Sequence, residues 1–207
     1  MSITYPLSLP SSPPGIEAIE LSSNDVVGIG ASPFTGQQQI LEWPGNWWTA
    51  RISLPPMYRV DAERWIAFLV SLKGMSGTFL LGDPNGKTPL GIATGTPLVN
   101  GSNQTGKVLA TKGWTPSIAG ILKAGDYLQI GSGATTRLYK AMKDANSDAS
   151  GNCVVDVWPS IRDLPADGAA IVTSSAKGTF RRNSNQQAWT INKDKTYSIA
   201  FDAIEAI

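Results

Sequence analysis

The chain has 207 residues, of which 42% are hydrophobic and only 16% charged, and its net charge is +1. Soluble domains average about 25% charged residues, so this sequence fills a core and still leaves surface that need not face water. It has no histidine and one cysteine, Cys153, which excludes Ser-His-Asp and Cys-His catalysis, histidine metal sites, an internal disulfide and a cysteine-rich zinc site.

With 21 glycines, 14 prolines and 7 tryptophans, the composition favours β-structure with many turns. The near-neutral charge gives no global pull toward nucleic acid or anionic lipid. The opening MSITYPLSLPSSPPG has no basic region followed by an apolar run, so secretion by the usual route is not expected. The strongly apolar stretch at 65–70 is far short of the ~20 residues of a membrane span, and no membrane insertion is expected.

The first predicted element is an extended arm over the Pro/Ser-rich segment 6–15, where proline blocks helix and weakens sheet pairing. Such an arm has few local partners and is expected to order against an adjacent subunit. Strands are predicted next around Ile16, Ala18 and Leu21, then over 37–42 and 47–54, with Pro44-Gly45-Asn46 read as a turn between the last two. Trp48, Ala50, Ile52 and Leu54 share one face of the final strand.

The period then changes. Trp65, Phe68, Leu69 and Leu72 fall at i, i+3, i+4 and i+7, one apolar helix face. The helix is predicted over 61–73, with Asp61 as N-cap, Lys73 in the last turn and Gly74 at C′. A strand at 78–81 follows, ended by Gly82-Asp83-Pro84-Asn85-Gly86.

From residue 91 the texture turns to Gly, Thr and Ser with short apolar runs. Strands are predicted at 107–111, 126–130, 136–142, 153–157 and 169–173, the spacing of a small barrel or sandwich. Longer strands return at 178–183, 186–192 and 196–203. The reading is a mainly β protein: residues 1–90 and 174–207 form one split β-rich domain, and 91–173 is an inserted β-domain.

Chemistry-bearing motifs are few. GDPNGKT (82–88) has three residues between its glycines rather than the four of a P-loop, and Pro84 and Pro89 oppose the phosphate-binding helix; it reads as a tight turn. DANSDASG (144–151) alternates oxygen ligands, but Ala149 replaces the calcium-loop glycine and Val155 the bidentate Glu; it reads as a polar hairpin turn. Asp126, Asp156, Asp163 and Asp167 are carboxylates of the type that hydrolyse sugars, but no spacing singles out a pair. Arg181-Arg182 is the only adjacent basic pair, too little for a nucleic-acid footprint. Trp43 and Trp47 read as a subunit contact, where Trp is enriched, or as a platform for stacking sugars. No catalytic residue, metal site or cofactor is assigned.

The stretches SPFTGQQQILEWPGNWWTARISLPPM (32–57) and WIAFLVSLKGMSGTFLLGDPNG (65–86) resemble tail-tip proteins of long-tailed bacteriophages, nearest in kind to the distal tail proteins, also called minor tail or baseplate hub proteins. LKAGDYLQIG (122–131) and VVDVWPSIRDLPADGAAI (154–171) resemble a β-domain common in phage structural proteins. The resemblance implies a β-sandwich with a flanking helix, related to the tail-tube fold. It also implies a non-enzymatic virion subunit, assembled in the host cytoplasm. Its partners would be copies of itself in a ring, usually a hexamer, the tail tube protein and the tip or baseplate proteins, around a channel for genome passage. A receptor- or carbohydrate-binding module of the tail tip is the alternative.

Overall fold

The computed structural model describes residues 3–10 and 15–207. Its architecture is mainly β with one α-helix. Strands β1 (Leu7–Ser8), β2 (Ala18–Ala31) and β3 (Gln38–Ser53) precede the helix α1 (Arg59–Ser71) and β4 (Thr78–Leu81). Six strands come next: β5 (Gly95–Val99), β6 (Gly106–Trp114), β7 (Tyr127–Ile130), β8 (Arg137–Ala141), β9 (Cys153–Ile161) and β10 (Ile171–Val172). The chain closes with β11 (Gly178–Arg182), β12 (Thr190–Ile191), β13 (Tyr197–Ser198) and β14 (Ala200–Glu205).

One six-stranded sheet has the order β1-β4-β11-β14-β3-β2. Only the β1–β4 pair is parallel. The second sheet, β10-β7-β8-β9-β6-β5, curls until its ends meet. A bridge joins Leu98 to Ala170, and Val99 N–H donates to Ala169 O at 2.9 Å. This near-closed barrel leaves little free edge. Ser175 N–H donates to Lys87 O at 2.8 Å, so the chain enters and leaves the barrel segment at one place.

The inner face of the first sheet carries an aromatic core. Trp65 and Phe68 of α1, Phe79 of β4, Phe180 of β11 and Phe201 of β14 form a chain of ring contacts, centroids 5.7 to 6.5 Å apart. Helix residues Trp65, Phe68 and Leu69 are buried here with Leu72, because that stripe is the apolar side of the helix. Further along the same face lies Trp48, under the barrel. Its Nε1–H donates to Leu138 O at 2.9 Å, and its ring meets Trp158 edge-on at 4.4 Å. Tyr127 and Leu138, although on barrel strands, belong to this first core. A second core fills the barrel, centred on Leu109, Leu122, Leu128 and Val155. Gly178 sits where the two meet: a Cβ there would lie 2.9 Å from Leu138 Cβ.

Several local expectations are corrected. The N-cap is Tyr58 in extended geometry with no side-chain cap bond, and Asp61 lies inside the first turn. The helix starts earlier because Pro55-Pro56 end the preceding extended chain directly before it. At the other end Leu72 is the C-cap, and Lys73 rather than Gly74 takes C′; both are left-handed, at φ 51° and 68°. The arm over 6–15 does not extend outward where it is described. Leu7–Ser8 pairs with β4, Tyr5, Leu7, Leu9 and Ile16 pack on the core, and the Tyr5 hydroxyl donates to Ser71 O; residues 11–14 lie outside the described residues. The segment 186–192 forms strand only at Thr190–Ile191, and β5 carried no expectation of a strand.

The largest correction is at 44–46. There is no turn: β3 runs unbroken through it. Asp25 pairs with Asn46, and the next residue, Val26, pairs with Trp43, so Pro44 and Gly45 form a bulge. Proline suits that place because a bulged residue owes the ladder no N–H. The true turn lies at 32–37, where Ser32 N–H donates to Gln37 O at 2.9 Å and Gly36 N–H to Ser32 O at 2.9 Å.

Candidate assembly surface

Strands β2 and β3 make one long hairpin. The fourteen residues of β2 span about 45 Å at ~3.3 Å per residue. Its base runs from the Ala18–Ser53 pair to the Asp25–Asn46 pair and belongs to the first sheet, because β14 pairs with the other side of β3 over residues 49–53. Beyond the bulge, residues 26–31 and 38–43 pair with each other and are exposed, with one tie to the barrel, the Lys107–Glu42 ion pair.

The two faces of this ribbon are mainly apolar. One carries Val26, Gly28 and Gly30 opposite Trp43, Leu41 and Gln39; the other carries Val27, Ile29 and Ala31 opposite Glu42, Ile40 and Gln38. Ile29 is 65% exposed, Trp43 57%, and Phe34 at the turn 95%. Scattered exposed apolar residues are ordinary, but a contiguous apolar ribbon marks a contact surface. Strand β2 also ends its sheet, so its outer backbone groups form a free edge.

Gly28 and Gly30 sharpen this picture. Neither takes positive φ, so the backbone does not require glycine. A Cβ at Gly30 meets nothing within 4 Å, and one at Gly28 meets only Leu41 O at 3.9 Å. Within the chain these glycines gain no packing and cost strand stability. They leave a flat strip along the ribbon on which another backbone can sit closely.

Trp43 and Trp47 lie on either side of the bulge and pair with Val26 and Asn24, which share a face by the alternation of β2. Trp47 is half-buried; Trp43 opens onto the ribbon face. The four helix-face residues Trp65, Phe68, Leu69 and Leu72 are core and lie apart from this surface. Sequence reading missed the ribbon strand 22–31 and the role of Asn46. The only signal was the run VVGIG, too short and too rich in glycine to read as a strand.

The polar motifs are occupied by their own turns. Asp83 accepts Asn85 N–H at 2.8 Å. Asp148 accepts the N–H groups of Ser150 and Asn152, each at 2.8 Å, and those bonds hold its carboxyl below the ordinary value. Asp126 is buried and accepts from Leu90, Gly91 and Lys123 N–H. Asp163 pairs with Arg137, Asp167 with Lys112 and Asp156 with Lys143, so these carboxylates do not converge. Among the described residues no cluster of three or more His, Cys, Asp or Glu side chains could hold a metal ion. Arg182 is buried and donates to Gln186 O, away from any basic patch with Arg181. Burial pushes the Cys153 thiol above its ordinary value. A cleft of about 330 Å³ between Glu17, Leu21, Asp83, Asn85 and Tyr127 is walled by a tyrosine already covered by Trp48 and Lys140. Burial, then the Asp83 charge, pushes the Tyr127 hydroxyl up to about 12. Among the described residues no helix is long and apolar enough to cross a membrane.

No protein-family model matches the chain, and no curated protein matches it. The architecture and the exposed ribbon therefore stand on the chain's own geometry.

Proposed function

We propose that this chain is a structural, non-enzymatic subunit of a phage tail tip. Copies assemble head to tail into a ring that joins the tail tube to the tip or baseplate proteins and leaves a channel for the genome. The observation that carries the reading is the ribbon beyond the bulge, mainly apolar on both faces, with a free edge and two glycines that no contact among the described residues requires. A head-to-tail ring uses such a feature because each subunit offers one edge and receives another. The phage identity rests on the sequence resemblance of 32–57, 65–86 and the 122–171 segments, and six copies is the number that resemblance implies. An obligate interface of this kind buries ~2,000 Å² or more.

The ribbon favours a protein contact over the glycan alternative. The immediate neighbours of Trp43 on its face, Val26, Leu41 and Gly28, are apolar, whereas a sugar site sets orienting polar groups directly around its aromatic ring. The test is tag labelling of purified particles. Label in a ring where the tube meets the tip is the expected result. Label only along tail fibres, or none on the particle, overturns the reading.

A further inference from the structure

The ribbon leaves its sheet at a bulge, and a bulge bends and twists the strand that carries it. A two-stranded ribbon is marginal on its own, so its direction depends on what holds its root. The root here is held by the barrel. Trp158 of β9 donates its Nε1–H to Asp25 Oδ1 at 2.9 Å. Two residues on, Ser160 N–H donates to Asn46 Oδ1 at 2.8 Å, and Asn46 Nδ2–H returns a bond to Ser160 Oγ at 3.2 Å. Asp25 and Asn46 are the last pair before the bulge. Just beyond it, Lys107 of β6 meets Glu42 at 2.7 Å.

Asn46 is 2% exposed. A buried amide is retained where its polar atoms find partners, and here both the amide nitrogen and the amide oxygen bond Ser160, more than one hundred residues away in sequence. An apolar residue would fill the same space without fixing a direction; a reciprocal amide contact fixes both distance and orientation. The three contacts flank the bulge on the barrel side of the hairpin.

We propose that the barrel is a brace for the hairpin: Asn46, Trp158 and Lys107 are positioning residues that fix the angle at which the ribbon projects. The barrel then contributes to the ribbon's aim without itself belonging to the contact surface. This inference does not depend on what the ribbon binds.

The test uses the full chain with Cys153→Ala and pairs of spin labels on introduced cysteines. Thr35→Cys with Ser102→Cys reports ribbon tip against barrel; Ala67→Cys with Ser102→Cys reports helix against barrel. In the parent both distance distributions are expected to be narrow. In the triple variant Asn46→Ala, Trp158→Phe and Lys107→Gln, the tip–barrel distribution should broaden severalfold while the helix–barrel distribution and the far-ultraviolet circular dichroism stay as in the parent. An unchanged tip–barrel distribution overturns the brace. Equal broadening of both pairs also overturns it, since the contacts would then hold barrel to sheet. Should the triple variant fail to fold, Trp158→Phe and Lys107→Gln are read singly by the same criterion, because each leaves the buried Asn46–Ser160 contact in place.

Discussion

Trp48→Phe probes the seam between the two β units. Trp48 is 5% exposed, donates its Nε1–H to Leu138 O, and packs edge-on against Trp158. Phenylalanine keeps an aromatic ring but cannot donate that bond. The Leu138 carbonyl is then buried without a partner, at about 1–3 kcal/mol. Weakening the contact with Trp158 adds about 0.5–1.5 kcal/mol. The expected loss is ~2–4 kcal/mol, a large share of the ~5–15 kcal/mol that holds a typical domain. At ~2–4 °C per kcal/mol for a chain of this size, the thermal midpoint should fall by roughly 5–15 °C. Thermal melts followed by far-ultraviolet circular dichroism read this directly. Trp43→Phe, on the exposed ribbon, is the control and should stay within ~0.5 kcal/mol. If Trp48→Phe melts with the parent, the seam carries no appreciable stability and the sheet and barrel are energetically separate.

Phe68→Ala should cost about 3–5 kcal/mol in denaturant titrations, because the ring is lost from the aromatic core, whereas Asp61→Ala should cost only ~0.3–1 kcal/mol, since it meets the helix dipole but caps nothing. Gly28→Val with Gly30→Val should leave the isolated chain as stable as the parent or up to ~2 kcal/mol more stable, yet block incorporation into particles; particles that form normally would show that no backbone approaches that strip. Burial lifts the Glu205 carboxyl above its usual 4.5, against the Trp48 N–H and the charges of Arg162 and Arg137, which pull it down. The folded state therefore holds that proton more tightly, and the stability this gives is full below about pH 4.5 and is lost as pH rises through the folded value. Glu205→Gln should consequently gain on the parent between pH 4 and pH 7, and a gap that stays flat or reverses would contradict this. Replacing 91–173 with a Gly/Ser linker is easy at the closure, where Ser175 bonds Lys87. It removes Tyr127 and Leu138 from the first core, so the remainder should melt well below the parent.

What the sequence made legible follows from burial. Where one face is buried, the alternation or the helical period is written in residue type. Trp48, Ala50 and Ile52 share a buried face, Trp65, Phe68 and Leu69 do so on the helix, and Thr78–Leu81 has the bounds expected of it. Where both faces are exposed, no pattern is imposed, and Val26 to Gly30 reads as loop although it is strand. Proline misled at 44, since a turn and a bulge both suit a residue without an N–H. At 6–10 the prolines suggested a free arm, but Tyr5, Leu7 and Leu9 supply enough apolar surface to dock it. The buried Asn46 carries no local signal, because its partner Ser160 lies on a distant strand. The Asp61 cap failed for a related reason. The residues that start this helix, Pro55, Pro56 and Tyr58, fix the chain's path by sterics rather than by a side-chain hydrogen bond.

A reconstruction of the assembled particle at the junction of tube and tip tests the central claim most directly. The expected density is a closed ring of this chain in which Val26, Ile29, Phe34, Leu41 and Trp43 are covered by the next copy, with its backbone lying over Gly28 and Gly30. A ribbon facing solvent or the host surface, or no density for this chain at that junction, would contradict it.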